Sequence, residues 1–268
     1  MIRRLLKKLG NFIIKLKNTF SEKGLLYIIH FVKNFLILSF KSKNQKFLIR
    51  IKYWYYQKYL FRMKYWYYQK FKSSRCFIFQ GKTYKYFYHK HNNTWANERA
   101  VEIPIIWEIL KENKGKSILE VGNVLSHYFS VNHDIVDKYE TATNVINQDI
   151  VDFHPSKNFN LIVTISTLEH VGWDEIPRDP TKIFKVIENF KNLLTSKGIC
   201  VFTIPIGYNT EFDILLNKNQ LPISKLFYLK RMTKDNRWEE VKWSHISNSR
   251  YGSPFNYANG LIIGIIEK

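Results

Sequence analysis

From residue 117 onward the apolar positions fall into short continuous runs, each closed by a turn residue or an acid. Ser117–Val121 (SILEV) stops at Gly122, Phe159–Thr167 (FNLIVTIST) opens onto Leu-Glu-His-Val, and Gly198–Ile206 (GICVFTIPI) and Gly260–Glu267 (GLIIGIIE) follow. Runs that are apolar throughout, without a period of two, are what strands covered on both faces require. Between them, residues 181–194 read as a helix. VEIPIIWEILK reads as an amphipathic helix that Pro104 starts or interrupts. Residues 210–232 are expected to form a helix and a turn, with short strands at Phe227–Leu229 and Trp238–Val241 and Gly260–Glu267 closing the sheet. Residues 76–88 read as a hairpin about Gln80-Gly81-Lys82. The expected fold is an α/β three-layer sandwich with a mostly parallel sheet over residues 95–268.

Acids recur just past the carboxyl ends of these runs, where an open α/β sheet binds ligands. Glu120 and Gly122 end the first run, Asp137 ends HDIVD, and Asp149 with Ile150 follows VINQ. The order and spacing resemble a class I (Rossmann-like) S-adenosylmethionine-dependent methyltransferase, and Leu168-Glu169-His170-Val171 resembles the LEHV segment after the fourth strand in many small-molecule members. The resemblance implies S-adenosylmethionine as cofactor and an antiparallel last strand. It also implies cofactor contacts at Glu120, Gly122, Asn123, Asp137, Asp149, Ile150 and Thr167. Asp137 resembles the acid that accepts from both ribose hydroxyls, with Asp134 and Glu140 as competitors. Asp149 resembles the acid beside the adenine amino group, with Ile150 packing on the ring. Where the family has further glycines this chain has Asn123, Leu125 and Ser126; Asn123 is a substitute because asparagine tolerates left-handed backbone.

Glu169 and His170 are the catalytic candidates. At the mouth of the site, either one is placed to take a proton from an acceptor hydroxyl, a role that suits histidine. Some relatives bind a metal here through a further acid three residues earlier; this chain has Ser166, so no metal is expected. Trp173, Asp174, Arg178 and Tyr208 are the candidate acceptor contacts. Only 37 residues (122–158) separate the first strand from the fourth. Full helix–strand units need about 30 residues each, so the intervening helices must be short or replaced by turns.

Charge divides the chain. Residues 1–90 carry 22 Lys and Arg against one acid, Glu22, a net +21; residues 91–268 carry 20 basic and 21 acidic residues, a net −1. Leu5, Leu6, Leu9, Phe12, Ile13 and Leu16 form the apolar face of a cationic helix over 2–20. Residues 24–40 are more apolar but contain His30, Lys33 and Asn34 on one face and span only 17 residues, short of the ~20 a spanning helix needs. A helix in a membrane interface, a helical hairpin on the main domain and a span are the alternatives, in that order. KYWYYQK occurs twice, at 52–58 and 64–70. Lysine alternating with tyrosine and tryptophan suits lipid headgroups, and less well nucleic acid, which lacks an accompanying motif here.

The expected organisation is a basic aromatic region (1–72), a hairpin linker (73–94) and the methyltransferase-like domain (95–268). Cys76 and Cys200 lack metal-ligand spacing, which fits a reducing cytoplasmic compartment, and residues 12–16 do not read as part of a signal peptide. The sequence therefore points to O-methylation of a small molecule, sugar or lipid-linked glycan at the inner face of a membrane. A catalytically weak scaffold and a nucleic-acid methyltransferase are the alternatives. The latter lacks an Asn/Asp-Pro-Pro-Tyr/Phe motif.

Overall fold

The structure, a computed structural model, describes residues 61–268. The helices expected at 2–20 and 24–40 and the first KYWYYQK lie outside the described residues. The chain divides into two compact units, 1–70 and 71–268. In the first unit the second KYWYYQK is helical.

The second unit is built on an eight-stranded sheet in the order β5-β4-β3-β6-β7-β10-β8-β9. Its members are β3 (Ile118–Val121), β4 (Asp134–Asp137), β5 (Val145–Asn147), β6 (Phe159–Ile165), β7 (Leu194–Pro205), β8 (Lys225–Arg231), β9 (Trp238–Val241) and β10 (Gly260–Glu267). Strands β3 to β7 are mutually parallel. β10 runs antiparallel between β7 and β8, as the resemblance implied. It does not close the sheet; that edge belongs to β9, paired antiparallel to β8. The strand expected at 227–229 also extends across all of 225–231.

Helices cover both faces. One side of the sheet, with Leu119, Ile162, Cys200 and Phe202, shares its core with Ile183, Val186, Ile187 and Phe190 of helix α2 (Lys182–Leu193). The alternate residues Leu161, Val163, Ile165 and Val201 are equally buried and face the other way by the two-residue period of a strand. There helix α1 (Arg99–Glu112) packs on β6. Two covered faces explain the continuous apolar runs. The domain is the three-layer Rossmann-like sandwich expected for class I methyltransferases. Pro104 lies inside α1 without ending it.

The short spacing has the consequence anticipated. A single 3-10 turn, Leu125–His127, joins β3 to β4, and another, Ile150–Asp152, precedes β6. The hairpin of β1 (Cys76–Phe79) and β2 (Lys82–Lys85) is part of the folded unit and not a linker. Phe77 and Phe79 are buried, the Tyr86 hydroxyl accepts from the Trp238 amide at 2.7 Å, and Arg75 pairs with Asp235 at 2.6 Å. Among the described residues no helix is long and apolar enough to cross a membrane.

Candidate active site

The carboxyl ends of β3, β4 and β6 and the turns after them enclose a crevice of about 550 Å³. It opens where the chain order switches from β3 outward to β4 on one side and β6 on the other, the position at which such sheets bind ligands. Gly122, Asp137, Asp149, Ile150 and Thr167 line it, as do His170 and Asp174. Glu120, Asn123, Glu169, Trp173, Arg178 and Tyr208 are not part of the lining.

The first turn is shaped by Gly122, whose φ of +85° favours glycine. A Cβ there would also overlap the Thr167 side chain, with Cγ2 2.9 Å away. Asn123 does not take a left-handed conformation. It works as a bracket instead, its backbone amide donating to Asp137 Oδ2 (2.9 Å) and its side-chain amide to Glu140 Oε1 (2.8 Å). Glu120 is fully buried, which corrects its expected role as a cofactor contact. Its Oε1 accepts from the amides of Val124 (2.9 Å) and Leu125 (2.8 Å), and its Oε2 lies 2.7 Å from His133 Nε2. The carboxylate thus holds together a turn that lacks the family's extra glycines.

Asp137 Oδ1 accepts from the amides of Tyr139 (2.8 Å) and Glu140 (2.7 Å), and Oδ2 accepts from Asn123. A carboxylate has about four acceptor sites. One remains, enough for one ribose hydroxyl and not the two expected. Glu140, the competing candidate, also lines the crevice. Asp134 is excluded because it opens β4 at the opposite end of the sheet and pairs with Lys157 at 2.5 Å. Asp149 is engaged as well: Oδ1 accepts from the Val151 amide, and Oδ2 meets Lys182 at 2.6 Å and Lys138 at 3.0 Å. Both ammonium groups also meet Glu175, at 2.6 and 2.9 Å. Burial pushes the Asp149 and Glu175 carboxyls up, but the lysine hydrogen bonds outweigh it and hold both below their ordinary range.

After β6, Asp174 Oδ2 joins His170 Nδ1 (2.5 Å) to the Tyr208 hydroxyl (2.8 Å). Burial raises the Asp174 carboxyl, yet the hydrogen bonds from His170 and Tyr208 leave it below its ordinary range. An ionised carboxylate only accepts, so Nδ1 carries the proton and Nε2 is the nitrogen open to receive one. Tyr208 is pushed up to about 12 by burial and by Asp174, which keeps its hydroxyl a donor. Glu169 is not at the mouth: it is 2 % exposed, with Oε1 3.8 Å from His170 Nε2. Arg178 stacks over the Trp173 ring at 4.3 Å, so one face of that ring is occupied by the protein itself.

Sequence reasoning missed three groups. Lys138, Glu175 and Lys182 form the ionic cluster around Asp149, and no local pattern links residues this far apart. Glu98, Arg99 and Glu102 sit at the start of α1, buried beneath the site. A signal for Glu102 was present, since it interrupts an otherwise apolar run, AVEIPII. Tyr251 packs edge-on against Tyr208, with ring centroids 5.2 Å apart.

No family model matches the chain, and no curated protein matches it. Solved structures do. The N-methyltransferase NodS of Bradyrhizobium japonicum, in complex with S-adenosyl-L-homocysteine, is 13% identical, covering 64% of this chain and 87% of its own, with a TM-score of 0.39. The sugar N-methyltransferase KedS8 of a Streptoalloteichus species is 12% identical over 63% of this chain and 88% of its own, with a TM-score of 0.32. An S-adenosylmethionine-dependent methyltransferase of Clostridium acetobutylicum is 13% identical over 77% and 98%, with a TM-score of 0.34. The fold assignment stands on the strand order and the crevice residues themselves.

Proposed function

We propose that the protein is an S-adenosylmethionine-dependent methyltransferase acting on a small polar acceptor. The observation that carries this is the crevice at the β3/β6 switch point, whose lining brings together Gly122, two carboxylates, Ile150 and the His170–Asp174 couple. The residues suit the cofactor. Gly122 keeps backbone open beside Thr167, Asp137 has one free acceptor site with Glu140 beside it, and Val121, Val136 and Ile150 supply an apolar wall for a base. When bound, the sulfonium supplies an already activated methyl group. The protein's part is then alignment, exclusion of water and removal of one proton. His170 Nε2 receives that proton, and Asp174 stabilises the imidazolium. A sugar or lipid-linked glycan fits the polar atoms of Asp174 and Tyr208.

Asp137→Ala is expected to weaken binding of S-adenosylhomocysteine by roughly 1–3 kcal/mol, the cost of leaving a hydroxyl donor and loop amides unpaired. Calorimetric titration of the intact variant against the wild type measures it. Unchanged affinity removes Asp137 from the cofactor site.

The first 72 residues, on this reading, hold the protein on an anionic lipid surface, supported by the net +21 of residues 1–90. Each Lys or Arg near such a surface contributes about 1 kcal/mol and salt screens it. Sedimentation with vesicles should rise with anionic lipid and fall with salt. Binding to single-stranded nucleic acid in place of vesicles would reverse the assignment.

A further inference from the structure

Behind His170 lies a group of buried carboxyls whose composition bears on the atom that is methylated. Glu98, Glu102 and Glu169 are 7 %, 0 % and 2 % exposed. The cation that faces them is Arg99, so the group holds three carboxyls and one guanidinium. Glu102 is fully engaged: Oε2 meets Arg99 Nη1 at 2.7 Å, and Oε1 accepts from the hydroxyls of Ser166 (2.5 Å) and Thr203 (2.7 Å). Arg99 donates in addition to the Ile165 carbonyl at 3.2 Å. Glu98 Oε2 accepts from the Ala258 amide at 3.1 Å. Glu169 is different. Its Oε2 is buried with no hydrogen-bond partner among the described residues, while the carboxyl is also met by its own backbone amide and Oε1 lies 3.8 Å from His170 Nε2.

A buried carboxyl oxygen left unpaired costs about 1–3 kcal/mol, more when charged, so it marks a place where a donor is due. Its surroundings show which donor. Burial above all, opposed by the carboxyl's own backbone amide and by Arg99 and reinforced by Glu102 and Glu98, holds the Glu169 carboxyl well above the ordinary range. An acid so placed gains from a cation and gains little from a neutral hydroxyl. His170, which approaches Oε1 at 3.8 Å, begins a chain of aromatic contacts. His170 and Tyr208 lie edge-on at 4.8 Å, and Tyr208 and Tyr251 edge-on at 5.2 Å. Aromatic rings with a carboxylate make a receptor for an ammonium group.

We propose that Glu169 receives an amino group of the acceptor, and that the protein methylates nitrogen and not the oxygen expected from sequence. This rests on the methyl-transfer reading and specifies its substrate class: a small primary or secondary amine, an amino sugar included. Held by Glu169, the ammonium passes one proton to His170 Nε2, its freed lone pair forms the N–CH3 bond as the C–S bond of the sulfonium breaks, and the products are a thioether and a methylated ammonium.

The test uses the intact protein saturated with S-adenosylhomocysteine and two probes of one shape, benzylammonium and benzyl alcohol, titrated by saturation-transfer NMR. Benzylammonium is expected to bind at least ~10-fold more tightly than the alcohol, as a charge-assisted hydrogen bond allows. Glu169→Gln should abolish that preference while S-adenosylhomocysteine still binds. Glu98→Gln, which removes a neighbouring carboxyl, should reduce it and serves if the first variant does not fold. Equal binding of the probes, no binding of benzylammonium, or a preference that survives both substitutions overturns the proposal. Failure of S-adenosylhomocysteine itself to bind would instead overturn the methyl-transfer reading.

Discussion

His170→Ala is expected to lower kcat by about 10²–10⁴-fold, the usual contribution of a positioned acid–base group, while S-adenosylhomocysteine affinity stays within about threefold. The split follows from placement. His170 stands in the turn after β6, whereas Asp137 ends β4 and Ile150 opens the turn before β6, and Asp174 Oδ2 fixes the His170 ring through Nδ1 at 2.5 Å. Asp174→Asn keeps the side chain's size but removes the charge that stabilises the imidazolium, so it should retain part of that loss and not all of it. Initial rates of methyl transfer, paired with calorimetric titration of the same samples, give the two quantities. A variant with full activity, or one whose defect lies wholly in cofactor affinity, would reduce His170 to a loop residue.

The largest stability effect is expected at Glu120. Its carboxylate is buried and satisfies two backbone amides and His133. Glu120→Ala leaves the buried Leu125 amide, the part-buried Val124 amide and an imidazole without their partner. Each unsatisfied donor costs about 1–3 kcal/mol, so the loss should be roughly 3–5 kcal/mol, comparable to breaking a buried ionic pair by removing one member. Urea unfolding should show a lower midpoint with an unchanged slope. A variant that is as stable as wild type but fails to bind S-adenosylhomocysteine would return Glu120 to the cofactor site, against its observed burial.

Strand existence was legible because both faces of the sheet are covered, so β3, β6, β7 and β10 print as unbroken apolar runs. Their order was not legible from periodicity. That β10 runs antiparallel came from the family resemblance; that it inserts between β7 and β8 and leaves β9 at the edge came from neither source. Gly122, Asp137, Asp149, Ile150 and Thr167 were expected from the family resemblance, and the topology brings them to one crevice because they lie at or just after the ends of neighbouring runs. What those residues do was harder to read. Glu120 and Glu169 sit among the same motifs, but whether a side chain turns into the crevice or beneath it depends on packing by distant partners. For Glu120 the partner is His133, and for Glu169 it is the start of α1. The lysines around Asp149 come from segments with no shared pattern, which is why an acid expected to be free is engaged on both oxygens.

The central claim is that the crevice binds the methyl donor. Calorimetric titration of the intact protein with S-adenosylmethionine and with S-adenosylhomocysteine tests it most directly. The account predicts saturable binding of both at one site per chain, weakened by Asp137→Ala and little changed by His170→Ala. No heat from either ligand at millimolar concentration, with the protein shown to be folded, would contradict it.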